Sequence, residues 1–221
     1  MRILIACEYS GTVRDAFAAR GHDAMSCDLL PTDKPGKHYQ GDVRDVLNDV
    51  FDLAIFHPHC TYLTSSAEWA YKDPDFQRYP GVGYHQKLKP GTLFGAERRK
   101  ARALAVEFFL LLWNSNIHRA CIENPVGHIS QHLRGAARQI IQPHQFGHDA
   151  SKATCLWLKN LPKLRPTENI PPRIVNGKPR WANQTDGGQN KLAPSKDRWK
   201  IRSTTYKGIA EAMADQWGIE L

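Results

Sequence analysis

Three short polar runs carry residue types that can do chemistry together. His57-Pro58-His59-Cys60 offers a thiol, which is a soft nucleophile once ionised by nearby cations or amides. Glu123-Asn124-Pro125 offers a carboxyl group, able to act as a proton donor where burial raises its pKa. Cys7-Glu8-Tyr9-Ser10-Gly11 offers a glycine turn through which a backbone approaches a ligand closely, with helix amides facing it. Two single acids complete the set: Asp28 is placed to accept both hydroxyls of a ribose, and Asp42 to take an adenine amine. No Gly-x-Gly-x-x-Gly and no Walker lysine occurs, so the three turns together point to an adenosine-type ligand without a pyrophosphate. Each run also has a plainer reading: a packed thiol, an ordinary turn after a strand, a simple Glu-Asn-Pro turn. Zinc binding by His57, His59 and Cys60 is a further alternative, disfavoured because ligands so closely spaced rarely converge on one ion and no matching pair follows. No metal is expected.

The elements around these runs are those of an α/β protein. Arg2 to Cys7, His22 to Cys27, Asp52 to Phe56 and His118 to Glu123 read as short buried strands, each ending in one of the polar turns. Thr12 to Arg20 reads as a helix closed by Gly21, and a short helical stretch lies around Asp45 to Asn48. Strands alternating with helices predict a doubly wound sheet with its site at the carboxyl ends of the strands. Lys72 to Thr92 reads as a long loop, of the kind that is usually functional. Glu97 to Asn114 is the clearest helix, with Ala101, Leu104, Ala105, Phe108, Leu111 and Leu112 as its apolar stripe. Ile140-Ile141 and Thr154 to Leu158 read as two later strands, a hairpin around Gly147. Leu164 to Trp199 reads as irregular, and Tyr206 to Trp217 as a closing amphipathic helix.

The 221 residues suit one domain with a small appendage. A net charge of +8 favours a polyanionic partner, against the alternative of a merely solubilising surface. Five scattered cysteines without Cys-x-x-Cys point to a reducing compartment rather than a disulfide framework. No segment reads as a signal peptide or a membrane span.

Taken in order along the chain, the turn ending in Gly11, then Asp28, Gly41-Asp42, the Pro58-His59-Cys60 strand end and Glu123-Asn124-Pro125 resemble the DNA cytosine 5-methyltransferases, in the short form met in phages. The resemblance implies a Rossmann-like, mixed doubly wound α/β fold with S-adenosylmethionine as cofactor. It assigns catalysis to Cys60 and Glu123, and cofactor binding to Glu8, Tyr9, Ser10, Gly11, Asp28, Asp42 and Pro58. The run Lys152-Ala153-Thr154-Cys155-Leu156-Trp157 is similar to a later strand of the short members, and Ser203-Thr204-Thr205 to their last motif. These imply substrate contacts from Asn124, Pro125, Lys152 and Thr154, and cofactor contacts from Thr204 and Thr205. The first motif keeps only Gly11 of its usual glycines, His59 stands where proline is usual, and Thr61 where glutamine is common.

The implied organisation is a catalytic and cofactor-binding part over 1–163, a reduced target-recognition region over 164–199, and a returning helix over 200–221. The implied reaction is methylation of cytosine carbon 5 in DNA through a Cys60 adduct, on a base swung out of the helix. Lys72, Lys87, Lys89, Arg98, Arg99 and Lys100 are candidate phosphate contacts, and Arg173, Lys178, Arg180 and Trp181 candidate contacts from the recognition region. A cytoplasmic, monomeric enzyme of a restriction-modification type is the corresponding expectation. The alternatives are a non-catalytic DNA- or cofactor-binding module and an enzyme modifying another pyrimidine at carbon 5.

Overall fold

The computed structural model describes residues 1–219. Seven strands form one mixed sheet: β1 Arg2–Ala6, β2 Asp23–Asp28, β3 His38–Gln40, β4 Leu53–Phe56, β5 Ala120–Asn124, β6 Arg138–Ile141 and β7 Thr154–Lys159. Their spatial order is β3-β2-β1-β4-β5-β7-β6, with β1 to β5 parallel and β7 running against both its neighbours. The doubly wound α/β sheet expected from the sequence is therefore present, as is the β6–β7 hairpin with Gly147 in its connection. β3 is an edge strand too short and polar to show as an apolar run.

Residues on alternate sides of each central strand face different helices. Ile3, Ile5, Leu53, Ile55 and Cys121 pack with α1 Thr12–Ala18 and α4 Lys207–Trp217, where Val13, Phe17, Met213 and Trp217 are buried. Leu4, Ala6, Ala54, Phe56 and Ile122 pack on the other face with Val106, Phe109 and Leu112 of α2 Gly95–Trp113. Burial on both faces explains why the central strands read as unbroken apolar runs. Truncating a buried aromatic such as Phe109 to alanine costs about 3–5 kcal/mol.

The apolar stripe expected along α2 is misplaced. Leu104 and Leu111 are exposed, while Arg98 is buried. Arg98 and Arg102 lie over the Tyr71 ring at 4.6 and 3.2 Å from its centroid. Arg102 also bonds the Tyr62 carbonyl and Glu68. Two arginines stacked on Tyr71, Arg102 paired with Glu68 and Arg98 bonded to the Leu93 carbonyl, thus take core-facing positions at the start of the helix. Arg98 is lost as a phosphate contact, and Arg99 is held by Asp73 and the Tyr71 carbonyl. Lys72, Lys87, Lys89 and Lys100 are exposed.

Within Leu164 to Trp199, read as irregular, β8 Arg173–Val175 pairs with β9 Lys178–Arg180. The turn is Asn176-Gly177, both at positive φ, which is the two-residue hairpin geometry that Asn-Gly favours. Arg173 and Arg180 brace this segment through Asp186 and the Gln184 carbonyl, while Lys178 is exposed. Trp181 stacks on His144, with ring centroids 4.2 Å apart. A short helix, α3 Arg198–Ser203, leads into α4.

Candidate active site

The β1–α1 turn is built around Glu8. Its buried carboxylate accepts from the Val13 amide (2.8 Å), the Arg14 amide (3.3 Å) and the Ser10 hydroxyl (3.0 Å). These are unpaired donors of the first helical turn, which a carboxylate satisfies and whose partial positive charge it matches. The Glu8 and Ser10 side chains are therefore engaged at the helix start. Gly11 stands at φ 67, and a Cβ there would meet the Arg14 guanidinium at 2.4 Å. Arg14, fully buried, bonds Ser26, Thr32 and the Lys34 and Pro35 carbonyls, tying the segment after β2 to the turn. Tyr9 also turns inward: its hydroxyl bonds the Lys200 carbonyl and Ser203 Oγ, and its ring meets Trp199 at 5.8 Å. It anchors α3.

The register of the sheet sets a row across the strand ends. Ala6 pairs with Cys27 and with Phe56, and Phe56 with Ile122. One residue further, Asp28, Cys7, His57 and Glu123 stand side by side and continue the sheet face that carries Ile5 and Ile55. Cys7 holds φ 58, a strained conformation for a residue with a side chain and one that clusters at functional sites. Burial, then the neighbouring Asp28, pushes its thiol far up. Asp28 is half-buried, and one carboxylate oxygen accepts from the Leu30 amide at 2.9 Å. Burial raises its pKa, against the Leu30 amide and the positive potential of His38 and His57. Asp42 is engaged by Arg44, whose amide and guanidinium take one oxygen each at 2.9 and 2.7 Å and hold the acid down. As it stands, its carboxylate caps a short turn and offers no free oxygen to an adenine amine.

Glu123 Oε2 accepts from His57 Nδ1 at 3.1 Å. Burial would raise this carboxyl, but the His57 hydrogen bond and the charge of Lys152 outweigh it, and its pKa is lowered. That reverses the expectation of a raised proton donor: Glu123 rests as a carboxylate. Asn124 is buried, its amide nitrogen 3.4 Å from the Pro58 carbonyl and its Oδ1 without a partner. Pro58 thus acts through its backbone.

Cys60 lies at the exposed lip of this row. Its surroundings, through loss of hydration and then the Glu123 charge, raise its thiol, while Lys152 and Arg202 oppose them. The resting pair is therefore a neutral thiol beside a carboxylate. Lys152 donates to the Arg202 carbonyl at 2.8 Å, tying the segment before β7 to α3. A small cavity is lined by Glu123, Lys152, Thr154, Thr205 and Tyr206. Thr205 and Thr154 are therefore brought to Glu123, whereas the Thr204 hydroxyl is spent on the Lys200 carbonyl. Pro125 follows the strand end, half-buried. Among the described residues no group of three His, Cys, Asp or Glu stands close enough to hold a metal ion.

The sequence reading missed Cys7, Arg14 and the part played by His57, which it weighed only as a metal ligand. Their common signal is that Cys7 and His57 directly follow apolar strands, but joining them into one row needs the strand order. Protein-family models give no match to the chain, and no curated protein matches it. Among solved structures it is similar to the Entamoeba histolytica methyltransferase EhMeth, at 11% identity over 76% of this chain and 57% of that one, with a TM-score of 0.42. It is also similar to the S. pombe Dnmt2 methyltransferase, at 15% identity over 74% of this chain and 50% of that one, with a TM-score of 0.41. The chain spans about half the length of each.

Proposed function

We propose that the protein methylates carbon 5 of cytosine in DNA, with S-adenosylmethionine as methyl donor. The observation that carries this reading is the pairing of Cys60 and Glu123 at the ends of adjacent strands, within one electrostatic field that also contains Lys152.

The residues divide the work. Asp28, with one oxygen left over from the Leu30 amide, suits a ribose diol, and the unpartnered His57 Nε2 and Asn124 Oδ1 fit a ligand bearing hydrogen-bond donors. S-adenosylmethionine, when bound, supplies an electrophilic methyl group. Glu123 keeps Oε1 for the base, where a carboxylate accepts from the exocyclic amine of cytosine and from a protonated ring nitrogen 3. That contact offsets the charge that holds the Cys60 thiol up, so the base itself favours the thiolate, with Lys152 and Arg202 beside it. Ring nitrogen 3 takes up the proton that the Cys60 thiol gives up, the sulfur adds to carbon 6, and the carbon 5–carbon 6 π pair moves to carbon 5, which becomes nucleophilic. After methylation water takes the carbon 5 proton, the carbon 5–carbon 6 double bond re-forms as the Cys60–carbon 6 bond breaks with its electron pair on sulfur, and ring nitrogen 3 returns its proton to the thiolate. Because carbon 6 is hidden in a stacked duplex, the base must be extruded to reach Cys60.

DNA as partner rests on the +8 charge and on exposed lysines of the 72–92 loop, Lys72, Lys87 and Lys89. Trp199 and Ile201 on α3 are exposed among Arg198, Lys200 and Arg202, a mixture that suits a backbone and an unstacked base. The 164–199 segment, anchored by Trp181 on His144, is proposed as the target-recognition region. Among the described residues no helix is long and apolar enough to cross a membrane. DNA containing 5-fluorocytosine tests the reading, since fluorine cannot leave carbon 5 as a cation and the adduct persists. A covalent protein–DNA band that disappears with Cys60→Ala supports it. A band that survives Cys60→Ala, or no band with S-adenosylmethionine-binding wild type, refutes it.

A further inference from the structure

His57 is the least explained group of the row. Its side chain is 8% exposed, and its two nitrogens have different fates. Nδ1 meets Glu123 Oε2 at 3.1 Å. Glu123 rests ionised and has no proton to give, so Nδ1 carries the hydrogen. Nε2 is buried without any hydrogen-bond partner. A buried polar atom without a partner is costly, and a bound ligand would relieve that cost. The ring's potential acts on Glu123 to one side and on Asp28 to the other. Between Asp28 and His57 lies Cys7, at φ 58.

We infer that His57 is a two-sided positioning residue: Nδ1–H fixes Glu123 with Oε1 presented to the base, and Nε2 accepts an N–H or O–H of the ligand held on the Asp28 side. This deepens the proposed function and rests on it for the nature of the two ligands. One consequence is that Glu123 has only one free oxygen, so the base is gripped by a carboxylate already oriented. A second is that the methyl donor and the base share a single side chain, which links occupancy of one half of the cleft to order in the other.

The two nitrogens can be removed separately. The amide nitrogen of asparagine falls near Nδ1, so His57→Asn keeps a donor for Glu123 and loses the far acceptor. The amide of glutamine reaches the Nε2 position, so His57→Gln keeps the acceptor and loses the grip on Glu123. Two readouts are taken on each variant: S-adenosylhomocysteine affinity by calorimetry, and the rate of covalent capture on 5-fluorocytosine DNA at saturating S-adenosylmethionine. The expected pattern is crossed. His57→Asn weakens S-adenosylhomocysteine at least 10-fold more than it slows capture, and His57→Gln slows capture at least 10-fold more than it weakens S-adenosylhomocysteine. A merely structural histidine would lower both readouts together in both variants, and that result, or no change in either, overturns the inference. If wild type binds S-adenosylhomocysteine but captures no base, the proposed reaction fails while the binding arm still decides the Nε2 assignment. If wild type binds no S-adenosylhomocysteine, both fail.

Discussion

Two glutamates, Glu8 buried and Glu123 half-buried, stand at the ends of two strands of this sheet and have opposite fates. Glu8, after β1, gives both oxygens to the chain around it, to the Val13 and Arg14 amides and the Ser10 hydroxyl. Glu123, at the end of β5, gives one oxygen to His57 and keeps the other. Both look alike in the sequence: an acid following an apolar run at the edge of a cleft. What separates a structural acid from a chemical one is how many of its lone pairs the fold has already used. The same distinction sorts the other acids of the site, with Asp42 fully engaged by Arg44 and Asp28 half free.

The comparison can be broken by exchanging carboxylate for amide at each glutamate. Glu123→Gln is expected to lower kcat by about 10²–10⁴-fold while the melting temperature stays within a few degrees, read by methyl transfer and calorimetry on one preparation. Glu8→Gln is expected to do the opposite. It turns an amide group toward backbone donors and costs about 1–3 kcal/mol, or roughly 2–12 °C in melting temperature for a chain of this size, with kcat of the folded fraction nearly unchanged. Should Glu8→Gln abolish turnover without loss of stability, the division between the two acids is wrong.

A smaller effect sharpens the coupling between Glu123 and the thiol. Cys60 is exposed, Cys27, Cys121 and Cys155 are buried, and Cys7 is half-buried with its thiol pushed far up by burial, so iodoacetamide labelling of the folded protein reports chiefly on Cys60. Labelling at pH 7.5 is expected to be slower than for an unperturbed thiol, because its raised pKa depletes the thiolate. Glu123→Gln removes a negative neighbour and should speed labelling several-fold. Unchanged labelling would show that the two groups do not feel each other.

The smallest effects lie in acid. Glu123 has a lowered pKa in the fold, so its stabilising contribution is present above the ordinary carboxylate value of about 4.3 and fades as pH falls through the lower folded value. Asp28 is raised, so it has the opposite sign: its contribution is present at low pH and is lost as pH rises through the folded value. Glu123→Gln should therefore flatten the acid limb of melting temperature against pH, and Asp28→Asn should raise the melting temperature slightly near neutrality. Equal behaviour of the two variants would contradict the assignment.

The strands and their polar ends were legible because burial on both faces leaves unbroken apolar runs such as Ile3 to Ala6 and Leu53 to Phe56. The row of Asp28, Cys7, His57 and Glu123 was not, since it depends on β4 lying between β1 and β5, a long-range pairing. The α2 stripe was misread because Arg98 and Arg102 are made compatible with the interior by Tyr62, Tyr71 and Glu68, partners in a distant segment. The β8–β9 hairpin had a local signal in Asn176-Gly177, hidden by the polar strands on either side. The roles given to Glu8, Ser10 and Thr204 came from position in a motif, and their side-chain hydrogen-bond partners within the chain are not visible in the sequence.

The most direct test of the central claim is methyl transfer from labelled S-adenosylmethionine to DNA of varied sequence, with nucleoside mass spectrometry of the product, for wild type and Cys60→Ser side by side. The account predicts 5-methylcytosine with wild type and its loss in the variant. Folded wild type that binds the cofactor but marks no base, or a variant that methylates as well as wild type, would contradict it.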